Sequence, residues 1–447
     1  MRVLSKWSTP PPRQAWAAAV VFALASFSLV STDAIGLASF LFLGSALWCW
    51  RDSKRALQAS WPQARWVILA FLGNLGFALF LLASRGLDLG ILDEPSRMLL
   101  AVTAMLFVLA ARPRARWLWW GAAGGALAGA CLVAWQRFAL GMPRPGALMN
   151  PITFGDLSLS LALVALASGF DQRARGTRAV AAIGALAGLA GSLLSGSRGG
   201  WIVLPFALAL LVTQRQLVPR KVALALPVAA VLLVVLAYLA PQTGVRDRVL
   251  TSVSELSIYL DGNMAATSLS VRLELWKAAL MLVREHPWSG LETSAYKQQM
   301  HDWVALGVLN PLVFAPPEPS HLHNDALQML VTRGIPGFLA WAATLAAPLV
   351  FFWRQLKQAD GREGRALSLA GMLFVLAYLG FGLTEVIFWS MRSCLFYAQM
   401  VFILMGLCLN AQAAQAASDT LAPASQAPAD SRQDGPPIHP RQPAEKS

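Results

Sequence analysis

The uncharged stretch GIPGFLAWAATLAAPLVFFW, residues 334–353, decides the fold. At the helical rise of ~1.5 Å per residue, a stretch of this length crosses the ~30 Å hydrocarbon core of a bilayer. Similar runs recur along the 447 residues, of which 56% are hydrophobic and only 13% charged. Backbone polar groups in lipid need partners within their own segment, and these runs lack the alternation of barrel strands. The sequence therefore predicts an all-α, polytopic integral membrane protein.

The apolar runs predict about 12 transmembrane helices, at residues 14–30, 34–50, 66–84, 98–111, 117–136, 151–170, 179–195, 201–214, 222–240, 334–353, 367–386 and 394–412. We expect the first run to be a retained helix, because no convincing signal-peptide cleavage site follows it. The chain then divides into helices 1–9 (1–240), a loop (241–333), helices 10–12 (334–412) and a tail (413–447). The tail is rich in Pro, Ala, Ser and Gln, which predicts a disordered cytoplasmic extension.

The formal net charge is +13, and the basic residues behind it are distributed as membrane topology predicts rather than as a nucleic-acid surface. Lys and Arg are concentrated in alternate loops, which predicts cytoplasmic N- and C-termini and contact with membrane lipids. The short loops on the opposite side hold only Arg85, Arg97, Arg137, Arg144, Arg198 and Arg392. The four cysteines lie within or at the edge of apolar runs, so they predict neither a disulfide framework nor a metal knuckle.

The loop 241–333 is the only long hydrophilic excursion before the tail, and it holds four of the five histidines. Its segment SLSVRLELWKAALMLVREHPWSG, residues 268–290, predicts a helix that Ser268 or Ser270 caps and that ends at Pro287. A second helix is expected to begin just after PPEPSHLH and to continue into the span from Gly334. We therefore expect this loop to fold as a lid on the bundle.

Three arginines on the lid side are candidate binding residues. Arg198, in SLLSGSRGGW, lies between two apolar runs, where an ionisable residue is a functional candidate, and its flanking glycines predict that a ligand can approach the backbone closely. The alternative is an arginine that snorkels to lipid headgroups. Arg272 taken alone is more typical of a solvated helix charge. Arg144 is also consistent with an anchor at the membrane interface.

His321 and His323 are the candidate titrating residues. The spacing of HLH suits zinc, but a tetrahedral site needs a third protein ligand, for which His286, His301 or a loop carboxylate could serve. The favoured interpretation is a neutral imidazole near a helix N-terminus, able to accept a proton. Arginines suit diphosphate oxygens and a base activates a hydroxyl, so the pattern predicts group transfer from a lipid diphosphate to an alcohol.

These residues resemble the O-antigen ligase family of membrane glycosyltransferases. The family pattern is His followed by Asn, Ser or Gln, then nine residues and Gly-x-x-Gly, which His323, Asn324, Gly334 and Gly337 match. GSRGGW at 196–201 and VRLELWKAALMLVREHPWSG at 271–290 resemble two further family blocks, each centred on an arginine. The resemblance spans about residues 140–410.

The resemblance implies a GT-C-like fold and an inverting, metal-independent transfer that uses no cofactor. Its donor would be O-antigen linked to undecaprenyl pyrophosphate, and its acceptor lipid A-core, at the periplasmic face of the inner membrane. Arg198 and Arg272 would engage the pyrophosphate, and His323 would activate or orient the acceptor hydroxyl. Asn324, His321 and Arg144 are further candidates for substrate binding.

Three alternatives remain open at this point. An O-antigen polymerase would use another lipid-linked glycan as acceptor, and a protein O-oligosaccharyltransferase would use a protein hydroxyl. A transporter of lipid-linked oligosaccharide, which belongs to a different class, would need an arginine-lined passage but no base.

Overall fold

The computed structural model describes residues 11–85, 89–171, 175–214, 217–240, 243, 245–260, 266–316 and 318–421. These residues form helices and short 3-10 turns, without a strand among them, which confirms the predicted all-α class. The helices are α1 (Pro11–Phe27), α2 (Ala34–Trp48), α3 (Trp50–Arg85), α4 (Asp93–Leu100), α5 (Val102–Ala111), α6 (Arg116–Phe138), α7 (Pro151–Asp171), α8 (Arg175–Ser195), α9 (Val203–Thr213), α10 (Arg220–Leu239), α11 (Val245–Leu260), α12 (Ser268–Glu285), α13 (Thr293–Ala305), α14 (Asp325–Gln358), α15 (Arg362–Phe381) and α16 (Met391–Leu421).

Eight helical segments among the described residues are long and apolar enough to cross a membrane: Trp50–Arg85, Leu89–Ala111, Arg116–Phe138, Pro151–Asp171, Gly176–Ser195, Asp325–Gln358, Arg362–Phe381 and Met391–Ala417. Ala34–Trp48 and Gly199–Thr213 are shorter apolar helices. The chain is therefore a polytopic membrane protein, and the number twelve stays a prediction.

Three helix boundaries differ from those that the apolar runs predict. α3 begins at Trp50, well before the predicted span 66–84, because a helix continues through charged residues once it leaves the lipid. α15 ends at Phe381 rather than 386, and a turn follows in which Leu383 N–H donates to Gly380 O at 3.2 Å. α16 continues to Leu421, past the predicted start of the tail, and residues 422–447 lie outside the described part of the chain.

Small residues let the helices approach closely. Gly121, Gly125 and Gly129 recur every fourth position on α6, where a Cβ atom would collide with Phe22 or Ala25 of α1 or with Leu29 just after it. A seam of small residues permits such close contact between helices in a bilayer, where van der Waals packing replaces the hydrophobic effect. α7, α15 and α16 are mostly buried, and α7 packs between α8 and α15 at the centre of the bundle.

The lid, residues 268–324, has a core of its own. Leu275, Ala278 and Leu282 on α12 are buried against Tyr296 and Met300 of α13. The cap of α12 is Thr267 rather than Ser268 or Ser270: its hydroxyl accepts from Ser270 N–H, and the Ser270 hydroxyl accepts from Thr267 N–H. This reciprocal capping fixes the first turn of α12, which directly precedes Arg272.

The second predicted helix begins at Asp325, directly after the two histidines, and continues into the span as α14. Asn324 caps it, accepting from Leu327 N–H at 3.0 Å. Gly334 interrupts the helix with φ +65°, a left-handed conformation that L-residues other than Gly adopt at a cost. A Cβ at Gly334 would also collide with the Trp288 carbonyl of the lid. The close contact between Gly334 and Trp288 therefore joins the lid to the bundle.

We expect Gly334→Ala to lower the free energy of unfolding by about 1–3 kcal/mol. Alanine is strained at the positive φ, and its Cβ would collide with the Trp288 carbonyl. The midpoint of thermal unfolding of the purified protein in detergent, followed by circular dichroism, would measure the loss.

Gly73→Ala is the matched control, since Gly73 lies in α3 with nothing within 4 Å of a Cβ placed there. That variant should melt at or above the wild-type temperature, as alanine favours the helix. Equal melting temperatures for the wild type and Gly334→Ala would contradict this account of the joint.

Candidate active site

Four of the predicted site residues line one cavity of ≈ 440 Å³ between the bundle and the lid. They are Arg144, Arg198, Arg272 and His323, and they come from four separate parts of the chain. The described residues that line this arginine cavity include no Asp or Glu. The cavity thus concentrates positive charge at one end of the bundle, as a site for an anionic ligand requires.

Each arginine is presented by a different local structure. Arg144 lies in the connection between α6 and α7, and Arg198 lies between α8 and the 3-10 turn Gly199–Ile202. Arg272 projects from α12 just after its capped first turn, with 25% of its side chain exposed. Because one of the three belongs to the lid, the cavity is complete only when the lid packs on the bundle.

The glycines after Arg198 serve a different purpose from the one expected. Sequence analysis suggested that they let a ligand approach the backbone. Instead, a Cβ at Gly199 would collide with Thr384, and one at Gly200 would come within 2.5 Å of the buried Asp156 carboxylate. The glycines therefore let this turn pack against α7 and the segment after α15, which fixes the position of Arg198.

The arginines repel one another in the absence of an anion. Burial lowers the pKa of Arg272 from its ordinary value, the carboxylate of Glu385 opposes this, and the charges of Arg198 and Arg144 lower it further. A bound anion would relieve the repulsion between these guanidinium groups.

Glu385 joins the arginine cavity to both histidines. Its two carboxylate oxygens lie 3.0 Å from His321 Nε2 and 3.0 Å from His323 Nδ1, and its Oε2 lies 3.8 Å from Arg272 Nη2. Only 11% of the side chain is exposed. A largely buried carboxylate needs such partners, because an unpaired charge in this setting costs several kcal/mol.

These hydrogen bonds assign the ring protons of the neutral histidines. His321 Nδ1 accepts from His323 N–H at 3.3 Å, so the ring proton of His321 lies on Nε2, which donates to Glu385. His323 donates from Nδ1 to the same carboxylate, which leaves the lone pair on its Nε2. His323 is thus held in the tautomer that accepts a proton at Nε2, the arrangement by which a carboxylate orients a catalytic histidine.

Glu385 itself remains ionised well into the acid range. Burial alone would raise its pKa, but the hydrogen bonds that His321 and His323 donate hold the pKa below its ordinary value. Because the pKa in the folded protein is lowered, the stability that this carboxylate contributes is present above its unfolded pKa. That stability is lost only as the pH falls through the lowered value.

Asn324 and His321 do not line the arginine cavity. Asn324 is buried, and its amide is used twice within the protein: Oδ1 caps α14, and Nδ2 donates to Leu383 O at 3.0 Å. The neighbouring Asp325 N–H donates to Gly382 O at 2.8 Å. Together these bonds tie the segment that carries Glu385 to the start of α14, so the geometry favours a positioning role for Asn324 over contact with substrate.

His323 adopts a left-handed backbone conformation, with φ +51°. Such a conformation is uncommon for a residue other than Gly, and it persists only where the surroundings enforce it. Here the cap at Asn324 follows at once, and the ring is held by Glu385. The strain turns the imidazole toward the cavity at the position where α14 begins.

His321, His323 and Glu385 also have the donor types of a metal site, with ligand atoms all within 4.8 Å of one another. Sequence analysis considered His286, His301 or a loop carboxylate as a third ligand. Glu385 comes instead from the segment between α15 and α16, inside a predicted span. The only sequence signal for it is a carboxylate in an otherwise apolar stretch, FGLTEVIFW, which the general rule on intramembrane charges covers.

Comparison with known proteins gives a family for this site. Residues 183–342 match the family model described as O-antigen ligase, a range that includes Arg198, Arg272 and His323. An uncharacterized protein of Haemophilus influenzae is 24% identical over 292 residues, which cover 64% of this chain and 72% of that protein. An O-antigen ligase of Pseudomonas aeruginosa is 30% identical over 294 residues, which cover 64% of this chain and 62%, less than two thirds, of that protein. The chain is thus similar to the O-antigen ligase family, both in its match to the family model over residues 183–342 and in its similarity to the Pseudomonas aeruginosa ligase.

Proposed function

We propose that this protein is an O-antigen ligase, which transfers O-antigen polysaccharide from undecaprenyl pyrophosphate to a sugar hydroxyl of lipid A-core. The observation that carries the proposal is the cavity in which Arg144, Arg198 and Arg272 lie together with His323. Guanidinium forks suit the oxygens of a diphosphate, and the histidine supplies a base beside them. The match of residues 183–342 to the family model and the similarity to the O-antigen ligase of Pseudomonas aeruginosa support this function.

In the proposed reaction, His323 Nε2 takes the proton of the acceptor hydroxyl as its oxygen attacks the anomeric carbon of the donor sugar. The bond from that carbon to the diphosphate oxygen breaks, and undecaprenyl pyrophosphate leaves with the electron pair. Arg198 and Arg272 stabilise the charge that develops on the leaving group. A single displacement inverts the anomeric centre, and these residues account for it without a metal ion.

Glu385 acts on this reaction through His323. Its carboxylate fixes the tautomer and orientation of the imidazole and stabilises the positive charge that forms when Nε2 takes the proton. Because its second oxygen accepts from His321, the carboxylate cannot rotate away from His323 without breaking both bonds.

We further propose that the arginine cavity faces the periplasm from the inner membrane. Arg112, Arg114 and Arg362 lie together at the opposite end of the bundle, where the positive-inside rule favours the cytoplasm. At that end, near the chain's two termini, Gln14 donates to Arg112 O and Asn410 donates to Val108 O, each at 2.8 Å. Both termini would then be cytoplasmic.

The proposal is tested by reconstituting purified protein with undecaprenyl-linked O-antigen and lipid A-core. Wild type should form capped lipopolysaccharide, also in the presence of a strong chelator, and His323→Ala should lose at least about a hundredfold in rate, as expected for a missing general base. Gel analysis of product length and mass measures the transfer.

Other outcomes assign the alternatives. If the lipid-linked glycan grows and lipid A-core is not capped, the protein is a polymerase. Transfer to a protein hydroxyl would indicate an oligosaccharyltransferase. Movement of donor across vesicles that His323→Ala leaves unchanged, without transfer, would indicate a transporter. Loss of transfer on chelation, with recovery on adding zinc, would show that His321, His323 and Glu385 bind a metal.

Arg198→Ala and Arg272→Ala should each lower transfer about ten- to a hundredfold, the effect of losing a charge-assisted hydrogen bond to the diphosphate. Lysine at either position should restore only part of the rate, because it keeps the charge but lacks the fork. Initial rates at varied donor concentration would measure both effects.

Arg284→Ala is the matched control, since Arg284 lies exposed in the last turn of the same helix as Arg272 and outside the arginine cavity. It should transfer at the wild-type rate. Wild-type turnover in both Arg198→Ala and Arg272→Ala would rule out the diphosphate clamp.

Glu385→Gln should lower kcat at least about a hundredfold, because the amide no longer fixes the base-competent tautomer of His323. Glu385→Asp should recover part of the activity. Because the pKa of Glu385 is lowered, this carboxylate stays ionised on the acid side, and its protonation should not limit wild-type activity there. A pH profile of kcat for the three proteins measures this, and an unchanged kcat in Glu385→Gln would refute the positioning role.

A further inference from the structure

A second cavity lies on the other side of the Glu385 segment. It measures ≈ 500 Å³, against ≈ 440 Å³ for the arginine cavity, and it opens between α4, the lid and the start of α14. Thr384 lines the arginine cavity, whereas Val386 and Trp389 line the second cavity. Glu385 therefore lies between the two cavities, together with the histidines that it binds.

The two cavities differ in chemistry. The described residues lining the second cavity include the carboxylates Asp93, Glu94 and Glu292 beside Arg97 and Arg333, whereas those lining the arginine cavity include no carboxylate. Carboxylates only accept hydrogen bonds when ionised, and guanidinium groups only donate them. Such a mixture suits a ligand with many hydroxyl groups, each of which both donates and accepts hydrogen bonds. The negative carboxylates of the mixture repel a diphosphate.

An exposed indole completes the second cavity. Trp389 is 56% exposed, although it belongs to the same short segment as Glu385. Its ring lies 5.9 Å from that of His321, which in turn lies 4.5 Å from that of His323. A flat aromatic face can pack against the C–H face of a pyranose ring while the hydroxyl groups at the ring edge remain available to polar side chains.

The wall beneath these exposed groups is rigid. Arg333, only 7% exposed, lies 2.8 Å from Glu94 Oε2 and donates to Asn74 Oδ1 at 3.2 Å. These bonds hold α14 against α3 and α4 just before the break at Gly334. Asp93 and Arg97, both on α4, are thus presented from a fixed frame, as specific recognition of a flexible saccharide requires.

We propose that this second cavity binds the saccharide of the acceptor, with Trp389 as the stacking surface and Asp93, Arg97 and Glu292 as its polar contacts. The proposal rests on the proposed transfer reaction and names the part of the protein that selects the acceptor. Direct displacement requires the attacking and leaving oxygens on opposite sides of the anomeric carbon. His323 lines the arginine cavity, and the second cavity lies across the Glu385 segment from it, so the acceptor and the lipid diphosphate would approach the anomeric carbon from opposite sides.

Trp389→Ala and Glu292→Ala test the proposal in the reconstituted assay with purified lipid A-core as acceptor. The half-saturating acceptor concentration should rise about tenfold in Trp389→Ala, the loss expected from one aromatic contact, and about threefold or more in Glu292→Ala. The half-saturating donor concentration should stay at the wild-type value, since neither residue lines the arginine cavity.

Trp288→Ala is the matched control: its indole is 70% exposed on the lid and lines neither cavity, so its acceptor dependence should equal that of wild type. If wild type transfers but Trp389→Ala and Glu292→Ala behave like this control, the acceptor site is overturned while the transferase stands. A rise in the donor requirement alone would overturn it as well. Absence of transfer by wild type would instead refute the function on which the proposal rests.

Discussion

The site depends on one largely buried carboxylate. Glu385 accepts from His321 and His323 and pairs with Arg272, so it joins the start of α14 to the lid helix α12 through the segment that follows α15. A charge with 11% of its side chain exposed is tolerated only with such partners. Packing the lid on the bundle therefore also orients the His323 imidazole, because this carboxylate contacts both Arg272 of the lid and that imidazole.

The sequence predicts the helical fold to a large extent and the helix boundaries less well. Apolar runs identify membrane helices because lipid tolerates no unsatisfied backbone, so each of the predicted spans falls on a described helix. Hydropathy does not report where a helix ends outside the lipid. α3 therefore starts sixteen residues before its predicted span, which begins at residue 66. The predicted span 367–386 likewise includes the turn at Gly382 that ends α15.

A site residue was predictable where its own position in the sequence is unusual for a charged group. It was not predictable where its role depends on a contact with a residue that is distant in the sequence. Arg198 and Arg144 are charges on the side that the positive-inside rule disfavours, and they line one cavity. Arg272 has no such anomaly, and only the resemblance to a family singled it out. Glu385 lies 62 positions from His323 in the sequence, and no periodicity or spacing relates two residues brought together by the packing of different helices.

The motif itself has a backbone explanation. His323 and Gly334 both have a positive φ, and they enclose a short helix that Asn324 caps. The first left-handed residue turns the imidazole toward Glu385, and the second ends the helix where Trp288 of the lid packs against it. Gly337 then lets α14 approach Phe77 of α3, since a Cβ there would come within 2.5 Å of the ring. The spacing of the motif is thus the length of the short helix that follows His323 and ends at Gly334, between the lid and the membrane span.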